Sequence, residues 1–142
     1  MKIIFDYNRT LFNPDTDTLY DGALELLNEL SKKHILFLIS KNEPKRRSKI
    51  KNLKITKFFE KILFVEKKTP SLFLKLTKND QDVLIVGDRI HSEISVGNSL
   101  GFKTVWVTQG IFSKEIPKNI KESPDHQIKN ISELINIIKI YE

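Results

Sequence analysis

Short apolar runs alternate with helix-like stretches along the chain. Five of these runs are predicted to form β-strands, over residues 2–6, 34–40, 62–65, 83–88 and 103–108. The second run (HILFLIS) is almost wholly apolar, which is typical of a parallel strand covered on both faces. The first run (KIIFD) and the fourth (VLIVGD) each end on an aspartate. The pattern therefore predicts a buried sheet with charged side chains at some of its strand ends.

Leucines at a spacing of three residues predict the first helix. Leu24, Leu27 and Leu30 follow Asp21 and would form the buried stripe of that helix. Residues 10–19, between the first strand and this helix, are rich in Asn, Pro and Asp and are predicted to form turns. The chain would thus enter its first helix through a polar connection.

Boundary residues mark the other helices. These helices are predicted from residue 44, over 70–76, over 93–100 and from 130 to 141. Pro44 suits the first position of a helix, and Gly101 is a good stop residue for the helix before it. Asn130 and Glu133 have the spacing of a capping box, which would begin the last helix.

Strand and helix alternate along the whole chain. This order predicts an α/β fold with a three-layer, doubly wound (Rossmann-like) parallel sheet, formed as a single domain over residues 1–142. In such sheets, ligands bind outside the carboxyl ends of the strands. The predicted fold therefore directs the search for a functional site to that edge.

The composition fits a globular protein and excludes several other classes. With 39% hydrophobic residues the chain is too apolar to be disordered, and no apolar run approaches the ~18 residues of a membrane span. Cysteine is absent, which excludes disulfides, thiolate zinc sites and cysteine nucleophiles. Met1 and Lys2 lead into only three apolar residues before Asp6, unlike a secretory signal. We expect a cytoplasmic protein without a membrane partner.

Basic residues produce the net charge of +6, and many of them lie in one segment. They are Lys45, Arg46, Arg47, Lys49, Lys51, Lys54 and Lys57, with no acidic residue among them. Such a run can attract nucleic acid or steer an anionic substrate. Because no aromatic residue interleaves it to stack on bases, we prefer a solvated helix face and do not expect nucleic acid as a partner.

Oxygen-bearing side chains follow three of the predicted strands. Asp6, Ser40 and Asp88 stand at the carboxyl ends, and Asn8 and Thr10 lie just beyond the first strand. Two carboxylates that leave apolar strands at the same edge are costly to hold together without a cation or another compensating charge. Mg²⁺ prefers oxygen ligands and typically takes one or two carboxylates. The sequence therefore predicts a Mg²⁺ site at this edge.

Four motifs occur in order along the chain. The first is an apolar strand followed by Asp-x-Asp-x-Thr/Val, and the second is an apolar strand that ends in Ser or Thr. The third is a Lys before a helix, and the fourth is Gly-Asp with an acid five residues after the Asp. The matching segments are residues 3–11, 35–40, 67–73 and 87–93. Together they resemble the haloacid dehalogenase (HAD) superfamily of aspartate-nucleophile phosphohydrolases, over nearly the whole chain.

The resemblance implies a phosphohydrolase with a covalent intermediate. Asp6 would attack phosphorus and form an aspartyl phosphate, which water then hydrolyses. Ser40 would donate a hydrogen bond to a phosphoryl oxygen. Lys68 would neutralise another oxygen, although Lys67 fits one common spacing of the motif equally well.

The resemblance also implies how the cofactor Mg²⁺ would be held. Its ligands would be the Asp6 carboxylate, the backbone carbonyl of Asn8, and Asp88. Glu93 belongs to the same acidic set and would orient metal-bound water or the lysine rather than touch the metal. These residues are the predicted metal site.

Further substrate contacts are expected beside the motifs. Thr10 and Arg9 follow the nucleophile, and Lys41 follows Ser40. The family often has glycine at the place of Arg9, so an arginine there would either bind substrate phosphate or point outward. With Ser40, these three residues are the predicted substrate-binding set.

Asn8 departs from the family, whose phosphatases usually have a second aspartate at this place. That aspartate protonates the leaving oxygen and then deprotonates the attacking water, and such catalysis is typically worth ~10²–10⁴-fold. Four accounts stay open: a substrate with a good leaving group, another proton donor such as His91, a poorly active phospho-ligand-binding relative, or an engineered substitution that traps the intermediate. We expect a Mg²⁺-dependent phosphohydrolase slowed or specialised by Asn8. The alternative is a catalytically impaired protein that binds a phospho-ligand or a partner.

Neither interval that could carry a cap domain is long enough for one. Nine residues separate Leu11 from Asp21, and 27 lie between Ser40 and Lys68. The resemblance implies that capless members act on large substrates or close their site by forming oligomers. We therefore expect a HAD-like core without a sizeable cap, acting on a phosphorylated small molecule or macromolecule. A dehalogenase would normally carry a cap, so dehalogenation is not preferred.

Overall fold

The computed structural model describes all 142 residues and has the predicted alternation of strands and helices. Its strands are β1 (Lys2–Asp6), β2 (Phe12–Asn13), β3 (Thr18–Leu19), β4 (Ile35–Lys41), β5 (Lys61–Val65), β6 (Val83–Gly87), β7 (Lys103–Val107) and β8 (His126–Ile128). Its α-helices are α1 (Ala23–Ser31), α2 (Arg46–Asn52), α3 (Pro70–Thr77), α4 (Ser95–Ser99) and α5 (Leu134–Tyr141). Short helical turns lie at Thr56–Phe58, Ile90–Ile94, Ile120–Glu122 and Ile131–Glu133.

Six strands form one parallel sheet in the order β5-β4-β1-β6-β7-β8, while β2 and β3 form a small hairpin. β1 lies inside the sheet, with Asp6 opposite Ile39 of β4 and Phe5 opposite Val86 of β6. The chain adds strands first on the β4 side and then on the β6 side, so the strand order reverses at β1. Ligands bind at such a reversal in doubly wound sheets. β1 therefore delivers Asp6 to the expected binding edge.

Both faces of the sheet bury apolar side chains. Ile3 and Phe5 of β1 belong to a core cluster of 23 buried residues that also contains the buried residues of α1 and α5. Ile4, which points to the other face, packs in a cluster of 8 buried residues with Phe73 of α3. Because successive side chains of a strand point to opposite faces, a strand covered on both faces is apolar throughout. The predicted doubly wound, three-layer α/β fold is confirmed.

The buried stripe of α1 differs from the predicted one. Leu24 is 43% exposed, whereas Ala23, Leu26, Leu27 and Leu30 are buried. An α-helix repeats every 3.6 residues. Residues spaced strictly three apart therefore drift around the helix away from the core, whereas residues spaced alternately three and four apart stay on the side that faces the core. Ala23 and Leu26 therefore complete the buried stripe with Leu27 and Leu30, and Leu24 lies outside it.

Three other details of the prediction need correction. Pro44 lies in the turn before α2, which begins at Arg46 after Lys45 in a left-handed conformation with a φ of 64°. The helix predicted over residues 93–100 is instead the wide turn Ile90–Ile94 followed by the short α4. β8 has little signal in the sequence, because only one of its three residues is buried.

The connections contain no inserted domain. Between β1 and α1 the chain forms only the β2–β3 hairpin, and between β4 and α3 it forms α2, one turn and β5. The capping box before α5 is present, with Oε1 of Glu133 accepting the N–H of Asn130 at 3.2 Å. No helix is long and apolar enough to cross a membrane.

Candidate active site

A cavity of about 560 Å³ opens at the carboxyl edge of the sheet. This volume lies within the range of small-molecule sites, about 300–1,000 Å³. Its polar lining includes Asp6, Asn8, Lys41, Lys67, Lys68, Asp88 and Glu93. The parallel register of β1, β4 and β6 is what brings these strand-end residues to one place.

Both carboxylate oxygens of Asp6 are hydrogen-bonded. The hydroxyl of Thr10 donates to Oδ2 at 3.1 Å, and Nζ of Lys68 donates to Oδ1 at 2.6 Å. Thr10 comes back to Asp6 because the chain turns tightly, with the N–H of Leu11 bonded to the carbonyl of Tyr7 at 2.9 Å. The Asp6 side chain is 10% exposed and is held in one orientation.

Lys68, rather than Lys67, contacts the acidic cluster. Its Nζ lies 2.6 Å from Asp6 Oδ1 and 3.3 Å from Glu93 Oε2. Thr69 follows it as the N-cap of α3, so the lysine is held where the chain enters the helix. Burial alone would lower the pKa of Lys68, but the Asp6 and Glu93 carboxylates outweigh it and raise that pKa, so the side chain is charged. Lys67 is exposed on the cavity rim.

Gly87, Asp88 and Glu93 form one interlocked turn after β6. Oε1 of Glu93 accepts the backbone N–H groups of Asp88 at 3.2 Å and Arg89 at 3.4 Å. Its Oε2 accepts from Lys68 at 3.3 Å. A Cβ on Gly87 would lie 2.2 Å from Cγ of Glu93, so position 87 must lack a side chain for Glu93 to reach these partners. This contact explains the Gly-Asp motif with its acid five residues further on.

Three carboxylates converge in the cavity. Asp6, Asp88 and Glu93 each bring an oxygen to within 4.8 Å of the others. Burial, together with the charges of Asp6 and Glu93, raises the pKa of Asp88 to about 10, and Lys68 offsets only part of this effect. When all three carboxyl groups are ionised, they carry more negative charge than the Lys68 ammonium balances. An all-oxygen donor set with excess negative charge fits Mg²⁺.

Asp88→Asn is expected to stabilise the metal-free protein. Because folding raises the pKa of Asp88 from an ordinary value of about 4 to about 10, its contribution to stability is fully present below about pH 4 and is lost as the pH rises toward about 10. The amide of the variant does not titrate, so its contribution to stability does not fall as the pH rises. In EDTA near neutral pH, the melting temperature of the variant should exceed that of the unsubstituted protein, and the two should converge below about pH 4.

The same variant should lose its thermal response to Mg²⁺. A cation that binds only the folded state raises the melting temperature, and Asp88 is one of the predicted ligands. Asp82→Asn is the matched control, since this aspartate has a side chain 61% exposed and lies outside the cavity. Equal responses of the two variants to Mg²⁺ would contradict a metal site at Asp88.

Two of the predicted substrate-binding residues, Thr10 and Arg9, are not part of the cavity lining, so direct substrate contact by either stays a prediction. Thr10 is fully buried, and its hydroxyl positions Asp6. The Arg9 side chain extends toward Asp15, with Nη1 3.9 Å from Oδ2, and lies beside Gly110. Arg9 has a φ of 62°, a conformation that glycine adopts readily, which agrees with the glycine often found there in the family. Backbone conformation and hydrogen bonding thus turn both side chains away.

Ser40 is the second-last residue of β4 and lies beneath the cavity surface. Its side chain is fully buried, and its hydroxyl donates to the carbonyl of Lys41 at 3.2 Å. The same hydroxyl accepts from Nη1 of Arg46 at 2.9 Å. Lys41 itself is exposed and lines the cavity. The oxygen predicted to meet a phosphoryl group is therefore covered by an arginine.

Asn8 lines the cavity and is half-buried. His91, which lies within the fourth motif, is also half-buried. Its Nδ1 lies 2.8 Å from Oε2 of Glu122, and its Nε2 lies 3.4 Å from Oε2 of Glu115. Both ring nitrogens therefore face glutamates of the loop between β7 and β8, which leaves neither directed at Asp6.

Other cavity residues have no motif in the sequence. Arg46 appears there only as one member of the basic run. Phe112 stacks on Arg89, with the guanidinium carbon 4.1 Å from the ring centroid, and both residues line the cavity. They reach it because α2 and the loop after β7 fold over the sheet edge, which no local pattern predicts.

Comparison with known proteins supports the same family. Residues 67–134 match a family model described as HAD-hydrolase-like. The chain is 30% identical over 129 residues to a glyceraldehyde 3-phosphate phosphatase of Pyrococcus furiosus, an alignment that covers 83% of this chain and 53% of the relative. The chain thus spans about half the length of that curated relative.

Solved structures share the fold. A haloacid dehalogenase-like hydrolase from Burkholderia xenovorans superposes with a TM-score of 0.81 at 15% identity, covering 99% of this chain and 97% of the other. The D,D-heptose 1,7-bisphosphate phosphatase of B. bronchiseptica, complexed with magnesium and phosphate, gives a TM-score of 0.76 at 11% identity, with all of both chains covered. These structures show the fold, while the family follows from the four ordered motifs, the family model and the related sequences: the chain belongs to the haloacid dehalogenase superfamily.

Proposed function

We propose that this protein is a Mg²⁺-dependent phosphohydrolase that acts through Asp6. The observation that carries the proposal is the fixed carboxylate of Asp6, which lies at the cavity in contact with the Lys68 ammonium and close to Asp88. A nucleophilic carboxylate beside a cation and a metal-binding acid is the arrangement that phosphoryl transfer requires. The relative from Pyrococcus furiosus, which is named a phosphatase, supports this activity.

Asp6 would act as the nucleophile. One of its oxygens attacks phosphorus, the bond from phosphorus to the leaving oxygen breaks, and that oxygen takes a proton. Water then attacks the phosphorus of the aspartyl phosphate, which releases inorganic phosphate and restores the carboxylate. Thr10 keeps the nucleophile in orientation, and Lys68 stabilises negative charge on the phosphoryl oxygens.

Asp6, Asp88 and the backbone carbonyl of Asn8 would hold Mg²⁺. When bound, Mg²⁺ supplies positive charge that shields the substrate phosphate from the carboxylates. Glu93 has one oxygen bonded to two backbone N–H groups and the other to Lys68, so its role is to orient the lysine and the turn. With these roles, the negative charge of the acidic cluster is balanced only when Mg²⁺ is bound.

Asn8 would slow or specialise the reaction. A neutral amide neither protonates a leaving oxygen nor deprotonates water, and the His91 nitrogens face Glu115 and Glu122. Substrates with good leaving groups, such as acyl or aryl phosphates, need little proton donation and should be favoured. The substrate class is a phosphorylated small molecule or macromolecule, because no domain inserted within this chain covers the cavity.

Hydrolysis of p-nitrophenyl phosphate tests the proposal. We expect release of p-nitrophenol with Mg²⁺, its loss on addition of EDTA, and its recovery when Mg²⁺ is restored, because without the cation the negative charge of Asp6 and of the phosphate repel each other. A heat-denatured sample is the control for non-enzymatic hydrolysis. Release that is the same with and without the cation would contradict the proposal.

A second candidate function is binding of a phospho-ligand without appreciable turnover. Asn8 favours this function, because it replaces the aspartate that usually assists proton transfer in the phosphatases of the family. This function predicts Mg²⁺-dependent binding of inorganic phosphate together with no p-nitrophenol release. The intact Asp6, Lys68 and Asp88 favour the phosphohydrolase instead, because binding alone does not require a nucleophile.

A further inference from the structure

Arg46 is the only residue of the basic helix α2 that lines the cavity. We propose that Arg46 binds the phosphoryl group of the substrate, at the position that the family resemblance assigns to the hydroxyl of Ser40. The inference rests on the proposed function for its substrate, and it adds a binding residue from outside the four motifs.

The guanidinium of Arg46 is fixed on three sides. Nη1 donates to Oγ of Ser40 at 2.9 Å, and Nη2 donates to Oε2 of Glu43 at 3.0 Å. Its central carbon lies 5.1 Å from the centroid of the Tyr7 ring, and the side chain is 12% exposed. A side chain already held in place loses little conformational entropy when it binds a ligand.

The hydroxyl of Ser40 lies behind Arg46 and already has two protein partners in this arrangement. Its hydroxyl has one proton, which is directed at the carbonyl of Lys41, 3.2 Å away. Its oxygen accepts from Arg46, and the residue is fully buried while Arg46 lines the cavity. An anion in the cavity therefore meets the N–H groups of Arg46 before it can meet the serine.

The chemistry of the guanidinium suits a phosphoryl group. Its contacts with Ser40 and Glu43 use only part of its planar fork of N–H donors, and the remaining donors match two phosphate oxygens. Glu43 offsets part of the charge, but Lys41 and Lys67 add positive charge on the same rim. Ser40 thus becomes a positioning residue, which aims the arginine.

Arg46→Ala should weaken binding of inorganic phosphate in the presence of Mg²⁺ by about 10- to 100-fold, the range for a charge-assisted hydrogen-bonded contact. Arg47→Ala is the matched control, because it removes the same charge from the same helix. Arg47 stacks on Phe64 at 4.1 Å and does not line the cavity. Isothermal titration of phosphate into each protein measures the effect, with thermal denaturation to show that each variant is folded.

Two conservative variants, Arg46→Lys and Arg47→Lys, keep the inference testable if Arg46→Ala fails to fold. Arg46→Lys keeps the charge but lacks the planar fork, so its affinity for phosphate should fall between those of the unsubstituted protein and Arg46→Ala. Arg47→Lys should leave it unchanged. For p-nitrophenyl phosphate, the Arg46 variants should raise KM by a similar factor. A phosphate affinity that is equal in the Arg46 and Arg47 variants overturns the inference.

The binding measurement separates this inference from the proposed function. If no protein releases p-nitrophenol but phosphate affinity depends on Arg46, the hydrolase proposal fails and the phosphate contact stands. If Mg²⁺-dependent hydrolysis is present and the Arg46 variants bind phosphate normally, the activity stands and the assignment of Arg46 is wrong.

Discussion

Asp6→Asn should reduce hydrolysis of p-nitrophenyl phosphate by about 10³-fold or more, because the amide that replaces the carboxylate is not a nucleophile. The substitution is nearly isosteric: the amide oxygen can accept from Lys68 at the place of Oδ1, and the amide NH2 can donate to the hydroxyl of Thr10. The loss should therefore appear in kcat without unfolding of the protein. Initial rates with saturating Mg²⁺ measure the loss of kcat, and the melting temperature of each protein shows whether it is folded.

Asp15→Asn is the control for loss of one acidic charge beside β1. Asp15 has a side chain 77% exposed and lies outside the cavity, so its replacement should leave the rate unchanged. Intact-mass spectrometry after acid quenching adds a second readout. The unsubstituted protein should gain the mass of one phosphoryl group during turnover, and Asp6→Asn should not. Full activity in Asp6→Asn would remove Asp6 as the nucleophile.

Asn8→Asp should raise turnover by about 10²- to 10⁴-fold for substrates with poor leaving groups, such as alkyl phosphates. The new carboxyl would stand in the cavity wall, where it can give a proton to the leaving oxygen and then take one from water. The gain should be smaller for p-nitrophenyl phosphate, whose leaving group needs little proton donation. Comparing kcat for the two substrate classes in both proteins measures this difference.

The time course of p-nitrophenol release should also differ between the unsubstituted protein and Asn8→Asp. In the protein with Asn8, an aryl phosphate can transfer its phosphoryl group to Asp6 with little assistance, but hydrolysis of the aspartyl phosphate lacks its base. A burst of p-nitrophenol equal to the enzyme concentration should therefore precede a slow steady state, and the burst should diminish in Asn8→Asp. Asn28→Asp, at an exposed residue of α1, adds the same charge and should change neither quantity. Unchanged kinetics in Asn8→Asp would show that Asn8 does not limit the reaction.

Most of the fold could be predicted from local pattern. β1, β4 and β6 are uninterrupted apolar runs, and their alternation with helical stretches is enough to predict a doubly wound sheet. The errors occur where the pattern is short or ambiguous. Leu24 and Leu26 are both leucines of α1, and only the packing of the helix on the sheet decides which is buried. β8 has three residues and is defined by pairing with β7 rather than by its own composition.

The positions of the motif residues were also readable from the sequence. Asp6 and Asp88 stand at the ends of apolar strands, and parallel pairing brings such ends to one edge. Lys67 and Lys68 could not be separated, because adjacent residues fit the same motif. The entry into α3 separates them, since it directs Lys68 to Asp6, 62 residues away along the chain.

Side-chain direction lay beyond the sequence. Arg9 has a left-handed backbone conformation that turns it toward Asp15, and Thr10 is drawn inward by its hydrogen bond to Asp6. Arg46 covers Ser40 because it is the first residue of α2 and its side chain reaches back six residues to the end of β4.

Local periodicity and motif spacing were thus enough to predict the family, the order of the main strands and helices, and which residues reach the binding edge. Only the packed layers show that Lys68 meets the nucleophile, because this contact joins residues 62 positions apart. The directions of Thr10, Arg9 and Arg46 depend on contacts within six residues, but backbone turns and side-chain orientations make these contacts, and neither periodicity nor motif spacing encodes them.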